Sequence, residues 1–126
     1  MNENEIGSII VDRAIYLHSQ LGPGLLESVY ETTLTKLLKD QDLRVERQVV
    51  IPFEFEGEKF DEGFRVDLIV NQKVIIELKS VENLGQVHKK QLLTYLKLTG
   101  LNLGYLLNFN ESLMKNGITR IINGNL

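Results

Sequence analysis

The sequence predicts an α/β fold of the α+β type, in which helices flank a mixed β-sheet. Three observations lead to this prediction. Two amphipathic helical segments come first, several segments with the two-residue period of β-strands follow, and another helical segment precedes the last two strands. The predicted order is therefore helix, helix, three strands, helix and two strands. A chain of 126 residues fits one domain, so we expect residues 1–126 to share one core.

The first two predicted helices cover residues 3–21 and 25–39. Both repeat apolar side chains at steps of three and four residues, which is typical of helices with one buried side. Gly22-Pro23-Gly24 separates them, because proline lacks the amide that a continuing helix needs and glycine permits tight backbone turns. Glu27 falls in the first turn of the second helix, where the helix dipole favours an acid.

From residue 43 the period changes to two, which predicts a long strand over 43–55 followed by a turn at 56–58. Pro52 predicts an edge position or a bulge for that strand. The apolar segment after the third helix is typical of a strand buried on both faces, and Gly100 suits the end of that helix. The remaining predicted elements are strands at 64–70, 74–80, 103–109 and 117–122 and a helix at 84–99.

The strands at 64–70 and 74–80 place charged groups among apolar residues, so their register matters. A two-residue loop at 71–72 would put Asp67 on the same face as Ile76 and mix charge into the apolar layer. A three-residue loop at 71–73, or a bulge near Asp67 with the same effect, instead puts Asp67, Glu77 and Lys79 on one face. This register pairs Val66 with Leu78, Leu68 with Ile76, Val70 with Val74, Asp67 with Glu77 and Arg65 with Lys79.

Two facing carboxylates call for a cation. At about 4 Å they repel by roughly 4 kcal/mol at an effective dielectric near 20, which raises one pKa or favours a bound metal ion. Magnesium prefers oxygen ligands and often combines one or two carboxylates with water and substrate phosphate. Lys79 would orient a water molecule or stabilise charge on phosphorus. Asp67, Glu77 and Lys79 therefore indicate metal-assisted phosphodiester hydrolysis.

Each of these residues also has a purely structural explanation. Glu77 and Lys79 would form a solvated salt bridge if their strand exposed one face to water. Glu27 would do no more than complement the helix dipole. Gln91, one turn before Tyr95 and one turn after His88, would be an ordinary surface glutamine.

Several motifs in fixed order resemble one family of small bacterial and archaeal proteins, named GxxExxY after its signature. That family is assigned to the PD-(D/E)xK nuclease superfamily. The signature matches GLLESVY at residues 24–30, and the resemblance covers nearly the whole chain. The other matching motifs are RVDLIV at 65–70, IIELKS at 75–80, HKKQLLTYL at 88–96 and GYLLNF at 104–109.

The resemblance implies a restriction-endonuclease-like core of the order α-β-β-β-α-β, with an extra N-terminal helix and C-terminal strand. It also implies a site for Mg²⁺, with Mn²⁺ as a substitute. In this sequence Val66 stands where the superfamily name has proline. The implied metal ligands are Glu27, Asp67, Glu77 and the Leu78 carbonyl. Lys79 and Gln91 complete the implied catalytic set, together with the three acids. Candidates to contact the substrate or to support the catalytic residues are Tyr30, Arg65, His88 and Tyr95.

Composition narrows the expected partners. A net charge of −3 argues against a general electrostatic grip on nucleic acid, so DNA or RNA would be held locally, by a homodimer or with basic surface from a partner protein. The same charge favours the alternative function of a catalytically silent accessory module. No apolar stretch is long enough to span a membrane, Glu3 and Glu5 replace a basic leader, and cysteine is absent; we expect a cytoplasmic protein.

Overall fold

A computed structural model describes residues 1–126, and it has the predicted mixture of helices and strands. The helices are α1 (Glu3–Leu21), α2 (Glu27–Lys39) and α3 (Gln86–Thr99), and a 3₁₀ turn covers Met114–Asn116. The strands are β1 (Val45–Val50), β2 (Phe53–Phe55), β3 (Glu58–Phe60), β4 (Arg65–Val70), β5 (Val74–Lys79), β6 (Leu103–Asn108) and β7 (Ile118–Ile122). None of the three helices has the length and hydropathy to cross a lipid bilayer.

The predicted long strand at 43–55 is wrong in one respect, since it is two strands. Pro52 lies between β1 and β2, where its missing amide prevents a continuous ladder. β2 then pairs with β3 as a separate two-stranded hairpin, stabilised by the Phe53 and Phe60 rings stacked 5.3 Å apart. The chain returns from this hairpin into β4.

The main sheet has five strands in the order β1-β4-β5-β6-β7. β5 and β6 run parallel and the other neighbours are antiparallel, which confirms the prediction of a mixed sheet. β1 is an edge strand, as Pro52 indicated. α1 and α2 cover one face of the sheet and α3 covers the other, so the strands in the middle are apolar on both sides. The predicted restriction-endonuclease-like arrangement is confirmed.

The turn between α1 and α2 is built on the predicted glycines. Gly22 and Gly24 have φ angles of 76° and 83°, in the left-handed region that suits glycine. The Tyr30 hydroxyl fixes this turn by donating to the Gly22 carbonyl oxygen at 2.6 Å and accepting from the Leu25 amide at 3.1 Å. The turn therefore sets the direction in which α2 begins.

The predicted register of β4 and β5 is confirmed as far as Leu68. The structure pairs Leu68 with Ile76, Ile69 with Ile75 and Val70 with Val74. The expected pair of Val66 with Leu78 is wrong, because the ladder stops and the Asp67 Oδ2 atom accepts from the Leu78 amide at 2.8 Å. Val66 was expected on the face of Leu68, yet it packs on the α3 side. The strand therefore changes face at Asp67, which is the bulge-like alternative.

The expected ladder pairs of Asp67 with Glu77 and of Arg65 with Lys79 do not form either, since the β4-β5 ladder ends at Leu68 and Ile76. Arg65 pairs instead with Val50 of β1. The register of β1 and β4 continues on both sides of Gln48 and Asp67 but omits those two residues. Gln48 has a φ of 51°, so both strands are distorted at the same level of the sheet.

Candidate active site

The candidate site begins with Asp67 and Glu77, which the distortion of β4 brings side by side. Glu77 is only 5% exposed, on the α3 side of the sheet. Its carboxyl lies within hydrogen-bonding reach of the Asp67 carboxylate. The explanation of Glu77 as one half of a solvated salt bridge is therefore wrong.

This arrangement has a direct electrostatic consequence. Burial, and then the hydrogen bond and negative charge of Asp67, raise the pKa of Glu77 to about 9. The Lys79 charge and the backbone amide of Asp67 act in the opposite direction and are outweighed. A pKa of about 9 means that Glu77, without a bound cation, stays protonated at neutral pH.

Lys79 closes β5 next to this pair and is half-buried. Its positive charge lowers the pKa of Glu77, yet no salt bridge within 4.0 Å joins the two side chains. Its carbonyl oxygen accepts from the Phe109 amide at 2.9 Å, which ties the end of β5 to the end of β6. The backbone of Lys79 is therefore fixed beside the acids, and its ammonium group forms no salt bridge with them.

α3 contributes a second layer on the same side. Tyr95 is buried, and burial followed by the charges of Glu77 and Asp67 raises the pKa of its hydroxyl. Gln91, one turn earlier and exposed, acts in the opposite direction and lowers the pKa of that hydroxyl. That Gln91 orients Lys79 or a phosphate stays a prediction, and its side chain influences Tyr95.

His88 lies at the beginning of α3, where its Nδ1 atom accepts from the Gly85 amide at 3.2 Å. This bond caps the helix in place of a side chain that Gly85 lacks. His88 therefore caps the start of its own helix.

Glu27 approaches from the other face of the sheet, at the N-terminus of α2. Its Oε2 atom accepts from the Ser80 amide at 3.2 Å, just beyond β5, and the side chain is exposed. The Ser80 hydroxyl donates to the Leu25 carbonyl oxygen at 2.8 Å, so two bonds join this loop to the beginning of α2. The position of Glu27 is thereby fixed relative to β5.

An open cavity of about 410 Å³ connects Glu27 with Asp67. Arg65 lies on its wall, which places one cation beside the acids. The complete lining is Glu27, Ser28, Glu31, Gln48, Arg65, Asp67 and Leu78.

Three residues of this wall, Ser28, Glu31 and Gln48, were missed from the sequence. Glu31 is 8% exposed and its Oε1 atom accepts from the Gln48 amide at 2.5 Å. The same Gln48 nitrogen reaches the Asp67 Oδ1 atom at 3.3 Å. Glu31 follows Glu27 by four residues and so lies on the same side of α2, and this spacing was the signal that could have found it.

Tyr30 does not reach the cavity. It is fully buried and stacks on Phe109, with ring centroids 4.3 Å apart. A direct contact with substrate is therefore ruled out for Tyr30, and its hydroxyl supports the turn that leads to Glu27.

Comparison with known proteins gives this geometry a context. The family model described as the PD-(D/E)XK nuclease superfamily matches residues 4–121. The chain belongs to the PD-(D/E)XK nuclease superfamily. The crystal structure of SSO0001 is similar, with 22% sequence identity and a TM-score of 0.49; the match covers 96% of this chain and 66% of that one. A search of curated proteins found no match.

PD-(D/E)XK nucleases generally use divalent metals, so the site must be tested for its fit to one. Nowhere do three His, Asp or Glu side chains converge closely enough to hold an ion together, and Glu27 is not grouped with the pair of acids. Asp67 and Glu77 still supply the two carboxylates with which Mg²⁺ is commonly bound, together with water and phosphate. A buried carboxyl beside a partly buried one, with the pKa of the buried group raised, is a pair of donors that suits a divalent cation.

The candidate site residues therefore lie on two faces of this end of the sheet. Asp67, Glu77, Lys79, Gln91 and Tyr95 lie together towards α3. Glu27 and Arg65 share the cavity with Asp67 on the side of α2. Tyr30 and His88 are placed by the structure in supporting contacts.

Proposed function

We propose that this protein is a Mg²⁺-dependent phosphodiesterase that hydrolyses nucleic acid, with Mn²⁺ able to replace Mg²⁺. One observation carries the proposal: Glu77, 5% exposed, is held against Asp67 with the Lys79 charge nearby. A buried pair of acids is costly unless a cation or proton compensates it. Superfamily membership supports nucleic acid as the substrate class.

Asp67, Glu77 and the Leu78 carbonyl would hold the ion, and Glu27 would bind it from the far side of the cavity through water. When bound, the ion would stabilise negative charge on the phosphate and lower the pKa of a coordinated water. Lys79 would orient the attacking water and donate hydrogen bonds to phosphate oxygen. Gln91 would act through Tyr95, whose hydroxyl faces the acids.

The substrate would lie along the cavity between Glu27 and Asp67, with Arg65 contacting a phosphate. Because the chain carries a charge of −3, further basic surface would come from a second copy or a partner protein. A homodimer would also supply the two sites needed to cut both strands of a duplex. We further propose that residues 1–126 act as one nuclease-like domain of the GxxExxY type.

Cleavage assays test the proposal. Single- and double-stranded DNA and RNA are incubated with Mg²⁺ or Mn²⁺ and the wild-type protein, Lys79→Ala, or the control Lys39→Ala at the opposite end of α2. We expect metal-dependent cleavage by wild type and Lys39→Ala and at least a hundredfold loss in Lys79→Ala, a size typical of an acid-base or electrostatic group. Equal cleavage by all three proteins would remove Lys79 from the mechanism.

A second candidate is a catalytically silent accessory module of the same fold. Two observations favour it: no three acids converge as ligands, and the pKa of Glu77 near 9 keeps this residue neutral without a metal. Calorimetric titration with Mn²⁺ separates the candidates when read together with cleavage. Binding without cleavage of any substrate supports the module, whereas absence of binding contradicts the metal site in both.

A further inference from the structure

A chain of hydrogen bonds leads from the protein surface to Asp67, and the proposed mechanism does not use it. Arg47 donates to the Glu31 Oε2 atom from Nε at 3.1 Å and from Nη2 at 2.9 Å. The other oxygen of Glu31 accepts from Gln48, which also reaches Asp67. Arg47 binds Thr32 as well, at 3.1 Å. Glu31 is therefore a buried, charge-paired anchor on the cavity wall, and Gln48 is the residue through which its hydrogen bonds reach Asp67.

Gln48 has a backbone conformation that its residue type seldom adopts. Its φ of 51° lies in the left-handed region, which is unfavourable for residues other than Gly, Asn and Asp. It occurs opposite Asp67, at the one level that the ladder of β1 and β4 omits. A conformation of this kind persists only where its surroundings hold it, and the side-chain bonds to Glu31 and Asp67 do so.

Asp67 is consequently held at both oxygens. Oδ1 faces the Gln48 amide at 3.3 Å and Oδ2 accepts from the Leu78 amide at 2.8 Å. Two fixed donors determine the plane of the carboxylate and the directions in which its remaining lone pairs point. Partners of this kind around metal ligands typically change metal affinity about 10- to 100-fold when they are removed.

We infer that Gln48, anchored by Glu31, is a positioning residue that fixes the Asp67 carboxylate for metal binding. The inference rests on the proposed function, since it assigns Asp67 to the ion. It adds a polar contact from β1, a strand that the superfamily motif does not include.

The test variant is Gln48→Asn. Asparagine tolerates the left-handed region better than glutamine does, so the backbone is kept while the amide is withdrawn by about one methylene length. Gln72→Asn is the matched control, because Gln72 also has a positive φ of 56° and is exposed in the turn between β4 and β5. Two quantities are measured: the Mn²⁺ dissociation constant by calorimetry, and the hydrogen-exchange rate of the Leu78 amide by NMR.

For Gln48→Asn we expect Mn²⁺ affinity to fall about 10-fold or more, and Leu78 to exchange several times faster while Ile76 is unchanged. Gln72→Asn should match wild type in both measurements. Glu31→Ala should reproduce the effect, and the double variant should be no weaker than Gln48→Asn alone, because the two residues act in series.

The possible failures are distinguishable. Wild-type affinity together with wild-type Leu78 exchange in Gln48→Asn would overturn the positioning role, even if Asp67→Asn abolished binding. If wild type binds no Mn²⁺, the proposed metal site fails, and Leu78 exchange alone decides whether Gln48 holds Asp67. Additive losses in the double variant would overturn the link through Glu31.

Discussion

Replacing Glu77 by glutamine should stabilise the metal-free protein at neutral and alkaline pH. Glutamine keeps the size of the side chain and a hydrogen-bond donor towards Asp67, but it cannot ionise. In wild type the folded state raises the pKa of Glu77 from 4.5 to about 9, through burial first and Asp67 second. Glu77→Gln therefore removes a group whose charged form the fold disfavours.

The sign follows from proton binding. Below pH 4.5 both folded and unfolded chains hold the Glu77 proton, so its contribution to stability is fully present. Between pH 4.5 and about 9 the unfolded chain releases the proton while the folded chain keeps it, and stability falls as pH rises. At about 1.4 kcal/mol for each pH unit, this loss reaches roughly 3 kcal/mol at pH 7 and 6 kcal/mol at pH 9. The wild-type protein loses this stability and Glu77→Gln does not.

Urea denaturation at pH 5, 7 and 9, with EDTA present, measures the difference. We expect the free energy of unfolding of Glu77→Gln, relative to wild type, to increase by about 1 kcal/mol or more for each pH unit. Glu54→Gln, which changes an exposed carboxylate on β2, should give a small difference with little dependence on pH. A Glu77→Gln difference that stayed constant from pH 5 to 9 would refute the buried, proton-sharing pair.

Three further outcomes are expected. Mn²⁺ should bind wild type up to about tenfold more tightly for each pH unit between 5 and 9, because Glu77 must release its proton before it can bind the ion. Calorimetry in buffers of different ionisation enthalpy measures the number of protons released. Binding without proton release would contradict the role of Glu77 as a metal ligand. Tyr30→Phe should cost about 1–2 kcal/mol in urea denaturation by removing the hydroxyl bonds to Gly22 and Leu25, and an unchanged midpoint would show that these bonds contribute nothing. Gly117→Ala should cost about 1–3 kcal/mol, because the added carbon would lie 2.2 Å from the Asn108 carbonyl oxygen; wild-type stability would exclude that close approach.

Most of the fold was predictable because the three helices and the strands of the main sheet each have a local hydrophobic period. The register of β4 and β5 as far as Leu68 followed from one requirement, that the loop at 71–73 keep the apolar side chains of both strands on matching faces. The hairpin of β2 and β3 did not follow, since an alternating strand pattern continued through Pro52. Only the position of Pro52 between two strands shows that the ladder had to stop there.

The site was predictable in part for the same reason. Asp67 and Glu77 could be placed together because strand register is a short-range property. Gln48 could not be assigned to the site, because its role depends on a positive φ and on the packing of α2 against β1. Neither feature produces a periodic pattern in the sequence. The position of Glu31 one turn after Glu27 was available as a pattern, but its burial depends on Arg47, a partner 16 residues away.

The strand distortion and the acid pair are one feature. A regular sheet would satisfy the Leu78 amide with a backbone carbonyl and hold Asp67 and Glu77 on a flat, closely packed face. Here the Asp67 carboxylate accepts the hydrogen bond of the Leu78 amide, and the ladder of β4 and β5 ends. This end of the sheet therefore borders the cavity that Asp67 shares with Glu27. In the metal-free protein the proton on Glu77 removes the repulsion between the two acids. A bound cation would do the same in the metal-bound protein. Burial disfavours the form in which both Glu77 and Asp67 are ionised, and this lowers the stability of the metal-free protein at high pH. A divalent ion bound to both carboxylates would offset that electrostatic cost.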